Sequence, residues 1–143
     1  MGRGNRGSSA RSFGPLPVRV VFDASALLAI VKQELGMDVA AAKLEGAAMT
    51  TVNICEVATR LIQTGTSMPL IKQQIEAFGL EIIPVDLDLC WRAAEMRPAT
   101  KAFGLSLGDR LCIALAEREN VPVLTGDRQW ARIGCKVRVD LLR

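Results

Sequence analysis

Four acids stand out for where they fall: Asp23 in VVFDAS, Glu56 in NICEV, Asp109 in LGDR and Asp127 in VLTGD. They carry the chemistry by default, because the chain contains no histidine. Without imidazole there is no Ser-His-Asp or Cys-His arrangement and no usual zinc site. Catalysis must run on carboxylates, hydroxyls, thiols or amines. Carboxylates packed together repel one another, and some keep a proton unless a cation sits among them. Oxygen ligands select a hard ion, Mg²⁺ or Mn²⁺, which retains several waters and binds only one or two carboxylates directly. Metal-activated water attacking a phosphodiester fits this inventory best. Ser25, Asn53, Ser106 and Thr125 lie beside the acids in sequence and offer groups to orient a carboxylate, a water or a phosphate oxygen.

The elements that must position these acids are legible in the hydrophobic periodicity. Val18–Phe22, Ala47–Thr51, Leu80–Val85, Val121–Leu124 and Lys136–Leu141 read as short strands. Between them, Ala24–Leu35, Met37–Leu44, Val52–Gln63, Pro69–Phe78, Leu87–Phe103 and Ser106–Glu119 read as helices, with Pro98 kinking or dividing the fifth. A short helix is expected over Arg128–Ile133. Alternation of strands and helices implies βαβ units: an α/β/α three-layer sandwich around a mostly parallel sheet of four to five strands. Ligands bind beyond the carboxyl ends of such strands. Asp23 and Asp127 each follow a strand. Asp109 and Glu56 each lie near the start of a helix. If those helices begin at the same sheet edge, the four acids converge there.

Each acid also has a plainer reading. Asp23 and Asp127 are suited to cap the helices that follow them. Ser106 with Asp109 resembles a capping box. Glu56 sits beside the apolar stripe of its helix and could be a solvated acid. Spacing alone leaves both readings open for each residue.

Composition narrows the class. A length of 143 residues, half of them hydrophobic, suits one globular domain. The net charge of +3 sits in the first seventeen residues, which carry Arg3, Arg6 and Arg11 and no acid. Residues 18–143 carry 15 of each sign, so overall charge does not announce a nucleic-acid binder. Residues 1–17 are Gly-, Ser-, Arg- and Pro-rich and are expected to form a flexible basic tail, with the domain spanning 18–143. Aromatic residues make up only 4%, which argues against base-stacking platforms. Cys55, Cys90, Cys112 and Cys135 form no CxxC and are expected as buried reduced thiols in a cytoplasmic protein. No signal peptide and no membrane span is read from the sequence.

The segments VVFDASAL, NICEVATRL, LSLGDRLCIALA and VPVLTGDRQW, in this order, resemble the PIN domain. More narrowly they resemble the VapC-type toxins of bacterial toxin–antitoxin pairs. The resemblance runs from Val18 to about Leu142, and its last two segments are the most specific. It implies a Mg²⁺-dependent endoribonuclease, with Mn²⁺ able to substitute, acting on structured RNA such as transfer or ribosomal RNA. Asp23, Glu56, Asp109 and Asp127 match the family's four acids. Asp23 and Asp109 would hold the metal most directly, with Glu56 and Asp127 completing the network. Thr125 and Ser25 match its supporting hydroxyls, while Asn53 departs from the Ser or Thr that many relatives carry. The resemblance also implies a homodimer and a VapB-like antitoxin. Leu61, Ile62, Leu70, Ile71 and Ile75 are either contacts for those partners or plain core. Arg60, Lys72, Arg97, Lys101, Arg110, Arg118 and Arg128 are candidates to hold RNA. Arg110 and Arg128 lead because each follows a site acid. The alternative function is a catalytically inactive PIN-like module that binds RNA or antitoxin. A phosphatase using Asp23 would want a second acid where Ser25 stands, and no GxGxxG follows the first strand.

Overall fold

The structure is a computed structural model that describes residues 17–143. The expectation for the tail therefore lies, apart from Pro17, outside the described residues. Five short strands, β1 (Val20–Phe22), β2 (Ala47–Thr50), β3 (Glu81–Ile83), β4 (Val123–Thr125) and β5 (Val139–Leu141), form one sheet in the order β3-β2-β1-β4-β5. Every pairing is parallel. The helices are α1 (Ala24–Val31), α2 (Met37–Ala42), α3 (Thr51–Gln63), α4 (Met68–Ala77), α5 (Leu87–Glu95), α6 (Arg97–Thr100) and α7 (Leu107–Glu119).

Alternation along the strands feeds two separate cores, one on each face. Val20 and Phe22 of β1, Ala47 and Met49 of β2 and Leu124 of β4 pack with Leu27, Val57, Leu61, Ile71 and Ile75 of α1, α3 and α4. Val21, Ala48 and Val123 face the other way, onto Leu89 and Ala93 of α5 and Leu111 and Leu115 of α7. The three-layer sandwich is therefore as expected, with five strands rather than four. Leu61, Ile71 and Ile75 belong to the core, while Ile62 and Leu70 are exposed.

Several boundaries depart from the periodicity for local reasons. The first helix stops at Val31 rather than Leu35, because Gln33 adopts a positive φ of 55° and Gly36 one of 97°. A side chain at Gly36 would also stand 2.8 Å from Leu142 Cβ, so the α1–α2 turn closes directly on the end of the chain. Pro98 does divide the fifth helical stretch: α5 ends at Glu95, α6 follows, and a 3₁₀ turn covers Lys101–Phe103. The expected helix over Arg128–Ile133 is a 3₁₀ turn over Arg128–Arg132. The expectation of buried thiols holds only for Cys112, with Cys135 half-buried. Cys90 is exposed on α5, and Cys55 is exposed on α3, where it lines the cavity described below. Among the described residues, no helix is long and apolar enough to cross a membrane.

The sheet order sets the site. From β1 the chain winds outward through β2 to β3, and β4 then returns to the other side of β1. The carboxyl ends of β1 and β4 thus flank the topological switch point, where connections leave in opposite directions and open a crevice.

Candidate active site

Asp23 ends β1 and caps α1 at this switch point. Its backbone N–H donates to the Leu124 carbonyl at 3.2 Å, tying the two strand ends together. Its Oδ1 accepts from Ser25 Oγ at 2.6 Å and from the Ala26 N–H at 2.9 Å, while Oδ2 accepts from Thr125 Oγ1 at 2.5 Å. The residue is only 6% exposed. Burial outweighs those three hydrogen bonds and lifts its pKa from 3.8 to about 6, and the charge of Asp109 adds to the rise.

Thr125 and Ser25 link Asp23 to the fourth acid. Thr125 Oγ1 accepts from the Asp127 N–H at 3.0 Å while donating to Asp23, and Ser25 Oγ accepts from the Gly126 N–H at 2.9 Å. Asp127 in turn caps the 3₁₀ turn through the Gln129 N–H at 3.0 Å.

Asp109 and Glu56 arrive from two helices whose N-termini meet at the crevice. Asp109 completes a capping box on α7: its Oδ2 accepts from the Ser106 N–H at 2.9 Å, and its own N–H donates to Ser106 Oγ at 3.2 Å. Burial, and after it the charge of Asp127, push its carboxyl above the usual range. Asn53 is buried on the first turn of α3. Its Nδ2 donates to Glu56 Oε1 at 2.8 Å and to the Gly108 carbonyl at 3.3 Å, while its Oδ1 accepts from Thr50 Oγ1 at 3.0 Å. The departure from Ser or Thr at Asn53 therefore gains an amide that holds Glu56 and fastens α3 to α7. Gly108 lets the helices approach this closely, since a Cβ there would stand 2.7 Å from Glu56 Cδ.

Asp23, Ser25, Glu56, Asp109 and Asp127 all line one cavity of about 830 Å³. Capping and cavity-lining are thus the same arrangement for Asp23, Asp109 and Asp127, not alternatives. Among the described residues none of the four acids is paired with a Lys or Arg; the ion pairs use other acids. Behind them the buried Cys112 thiol is pushed well up, first by burial and then by the charges of Asp23, Asp109 and Glu56. It is an inert packing group that senses the negative field.

This donor set fits a hard divalent cation: it is all oxygen, lines one cavity, and among the described residues has no basic partner, and burial raises the pKa of Asp23 and Asp109. Among the described residues no three acids or cysteines stand close enough to enclose an ion by themselves.

The two leading arginines fall elsewhere. Arg110 Nη1 donates to the Ala93 carbonyl at 2.9 Å, so this side chain lies against α5 and does not line the cavity. One step along a helix rotates a side chain by about 100°, which is why adjacency to Asp109 misleads. Arg128 is exposed and also does not line the cavity. The basic residues that do line it are Lys32, Arg60 and Arg143. Lys32 was findable, since Ser25, Leu28 and Lys32 share one face of α1 by their spacing. Nothing local signals Arg143.

A PIN domain family model matches residues 20–135. A comparison with curated protein sequences gives no match. Among solved structures, a toxin–antitoxin complex from Klebsiella pneumoniae superposes with a TM-score of 0.66 at 19% identity, covering 87% of this chain and 98% of that one. DNA-bound VapBC from Salmonella typhimurium gives 0.66 at 14% identity, covering 88% and 99%. VapBC-5 from Mycobacterium tuberculosis gives 0.55 at 24% identity, covering 89% and 99%. At these identities the likeness is one of fold.

Proposed function

The chain belongs to the PIN domain family, and from that premise we propose that it is a Mg²⁺- or Mn²⁺-dependent endoribonuclease, the VapC-like toxin of a toxin–antitoxin pair. Its substrate in this reading is structured RNA, transfer or ribosomal, cut in the cytoplasm. The observation that carries the reading is the convergence of four unpaired carboxylates from distant parts of the chain on one cavity.

Asp23 and Asp109 would hold the metal, with Glu56 and Asp127 reaching it through water. When bound, the ion supplies a Lewis acid for the scissile phosphate and lowers the pKa of a coordinated water. The chain's own residues supply orientation. Ser25, the Ala26 N–H and Thr125 fix the plane of the Asp23 carboxylate. The capping box fixes that of Asp109. Asn53 binds one oxygen of Glu56, leaving Oε2 to accept a proton from the attacking water.

The solved structures include a toxin–antitoxin complex and a DNA-bound VapBC, which supports a VapB-like antitoxin as a partner of this chain; a second copy of the chain is its other partner in this reading. Ile62, Met68 and Leu70 form an exposed apolar set on α3 and α4 suited to such contacts.

The test is to incubate the purified chain with bulk transfer RNA and ribosomal RNA, in Mg²⁺, in Mn²⁺ and in EDTA, and to sequence the new 5′ ends. Discrete ends are expected with either metal and none in EDTA. RNA retained but uncut under every condition would replace the enzyme with a binding module.

A further inference from the structure

The cavity that the four acids line is also lined by Arg143 and Arg60. Arg143 reaches it from the segment following β5 and Arg60 from α3, and α1 packs against both α3 and β4. Its position is fixed. The Leu142 N–H donates to the Thr125 carbonyl at 2.9 Å, continuing the β4–β5 pairing by one residue. Leu142 itself is buried against Gly36. Arg143 Nη1 donates to the Leu35 carbonyl at 2.6 Å. Nη2 lies 3.1 Å from where a Cβ on Gly126 would stand, so the guanidinium rests on the turn that presents Asp127.

The same cavity is lined by Asp23, Glu34, Glu56, Asp109 and Asp127. Among the described residues, Arg143 forms an ion pair with none of them. Here it is held by a carbonyl, is exposed, and spends one of its five N–H donors. A planar fork beside acids with which it does not pair matches the geometry of a phosphate, which Arg binds in bidentate fashion.

We propose that Arg143 is a substrate-binding residue that grips a backbone phosphate of the RNA next to the one cut at the four acids. The inference rests on the ribonuclease reading and deepens it. Arg143 contributes attraction to a polyanion that the acids repel, and it sets which phosphate enters the crevice. Its effect falls on binding and not on the chemical step.

The experiment compares wild type with Arg143→Gln, Arg143→Lys and the remote surface control Arg92→Gln. It measures steady-state cleavage of bulk transfer RNA in Mg²⁺ and equilibrium RNA binding in EDTA across a range of salt. For Arg143→Gln, KM is expected to rise about tenfold with kcat within about twofold, and the slope of log affinity against log salt to shrink by roughly 0.7. Arg143→Lys is expected to recover the salt slope but only part of the KM, and Arg92→Gln to match wild type. Thermal unfolding of all variants is expected to stay within a few degrees of wild type, since both side chains are exposed and each gives up surface contacts only. If wild type cuts RNA and Arg143→Gln cuts it with unchanged KM and salt slope, this inference alone falls. If wild type neither binds nor cuts RNA, the ribonuclease reading falls and takes the inference with it.

Discussion

Asp109→Asn is expected to lower RNA cleavage by about a thousandfold, equivalent to about 4 kcal/mol of transition-state stabilisation, while leaving the fold intact. Asn keeps a carbonyl oxygen for the Ser106 N–H, so the capping box survives in part and α7 still begins at Leu107. What is lost is a negative oxygen on the cavity that the other three acids also line. Because burial and the charge of Asp127 already disfavour the ionised form of Asp109, a neutral amide relieves repulsion in the metal-free protein. Activity and stability should therefore move in opposite directions: a thermal midpoint equal to or above wild type, with cleavage near background. Asp109→Ala, which removes the cap as well, should lose both. Cleavage at wild-type rates by folded Asp109→Asn protein would end the assignment.

The second large effect is in stability against pH. Asp23 titrates near 3.8 unfolded and at about 6 folded, so the folded chain holds its proton more tightly. The stabilisation is fully present below 3.8 and is lost as pH rises through 6. The metal-free protein should thus melt higher at pH 5 than at pH 8. The gain is roughly 1 kcal/mol, or about 5 °C for a domain of this size. Asp109 shifts in the same direction and adds to the trend. In Asp23→Asn the Asp23 contribution disappears and the melting curve should flatten between pH 5 and pH 8. Saturating Mg²⁺ should raise the midpoint at pH 8 in wild type more than in the variant. Thermal melts in EDTA and in Mg²⁺ at the two pH values check this. Identical pH dependence in both proteins would contradict it.

How much of this was legible in the sequence follows from what each feature depends on. The strands and the long helices are local patterns, and their order already implied a parallel sheet with Asp23 and Asp127 at strand ends. The capping readings were local too, and they hold alongside the site because a strand-to-helix junction is both a place to cap and the rim of the crevice. Asn53 was placed beside Glu56 by sequence, but its grip on Gly108 depends on how α3 meets α7. The basic lining is only partly legible for the same reason: of the cations named from the sequence, Arg60 lines the cavity while Arg110 and Arg128 do not. Arg110 is one residue from Asp109 yet turned onto α5, whereas Arg143 is sixteen residues beyond Asp127 yet held in the cavity by the last strand pairing. Neighbourhood along the chain is a poor guide to neighbourhood across a helix or a sheet. Tertiary contacts between elements decide which cations share a cavity with the acids.

The claim on which the account turns is that these four side chains gather around bound divalent metal. Crystals of the protein soaked in Mn²⁺ and measured at a wavelength where manganese scatters anomalously test it directly. An anomalous peak is expected in the cavity at about 2.0–2.3 Å from a carboxylate oxygen of Asp23 or Asp109, with waters filling the other positions, and absent in crystals of Asp109→Asn. A cavity without a peak at saturating Mn²⁺, in protein that still cleaves RNA, would contradict the account.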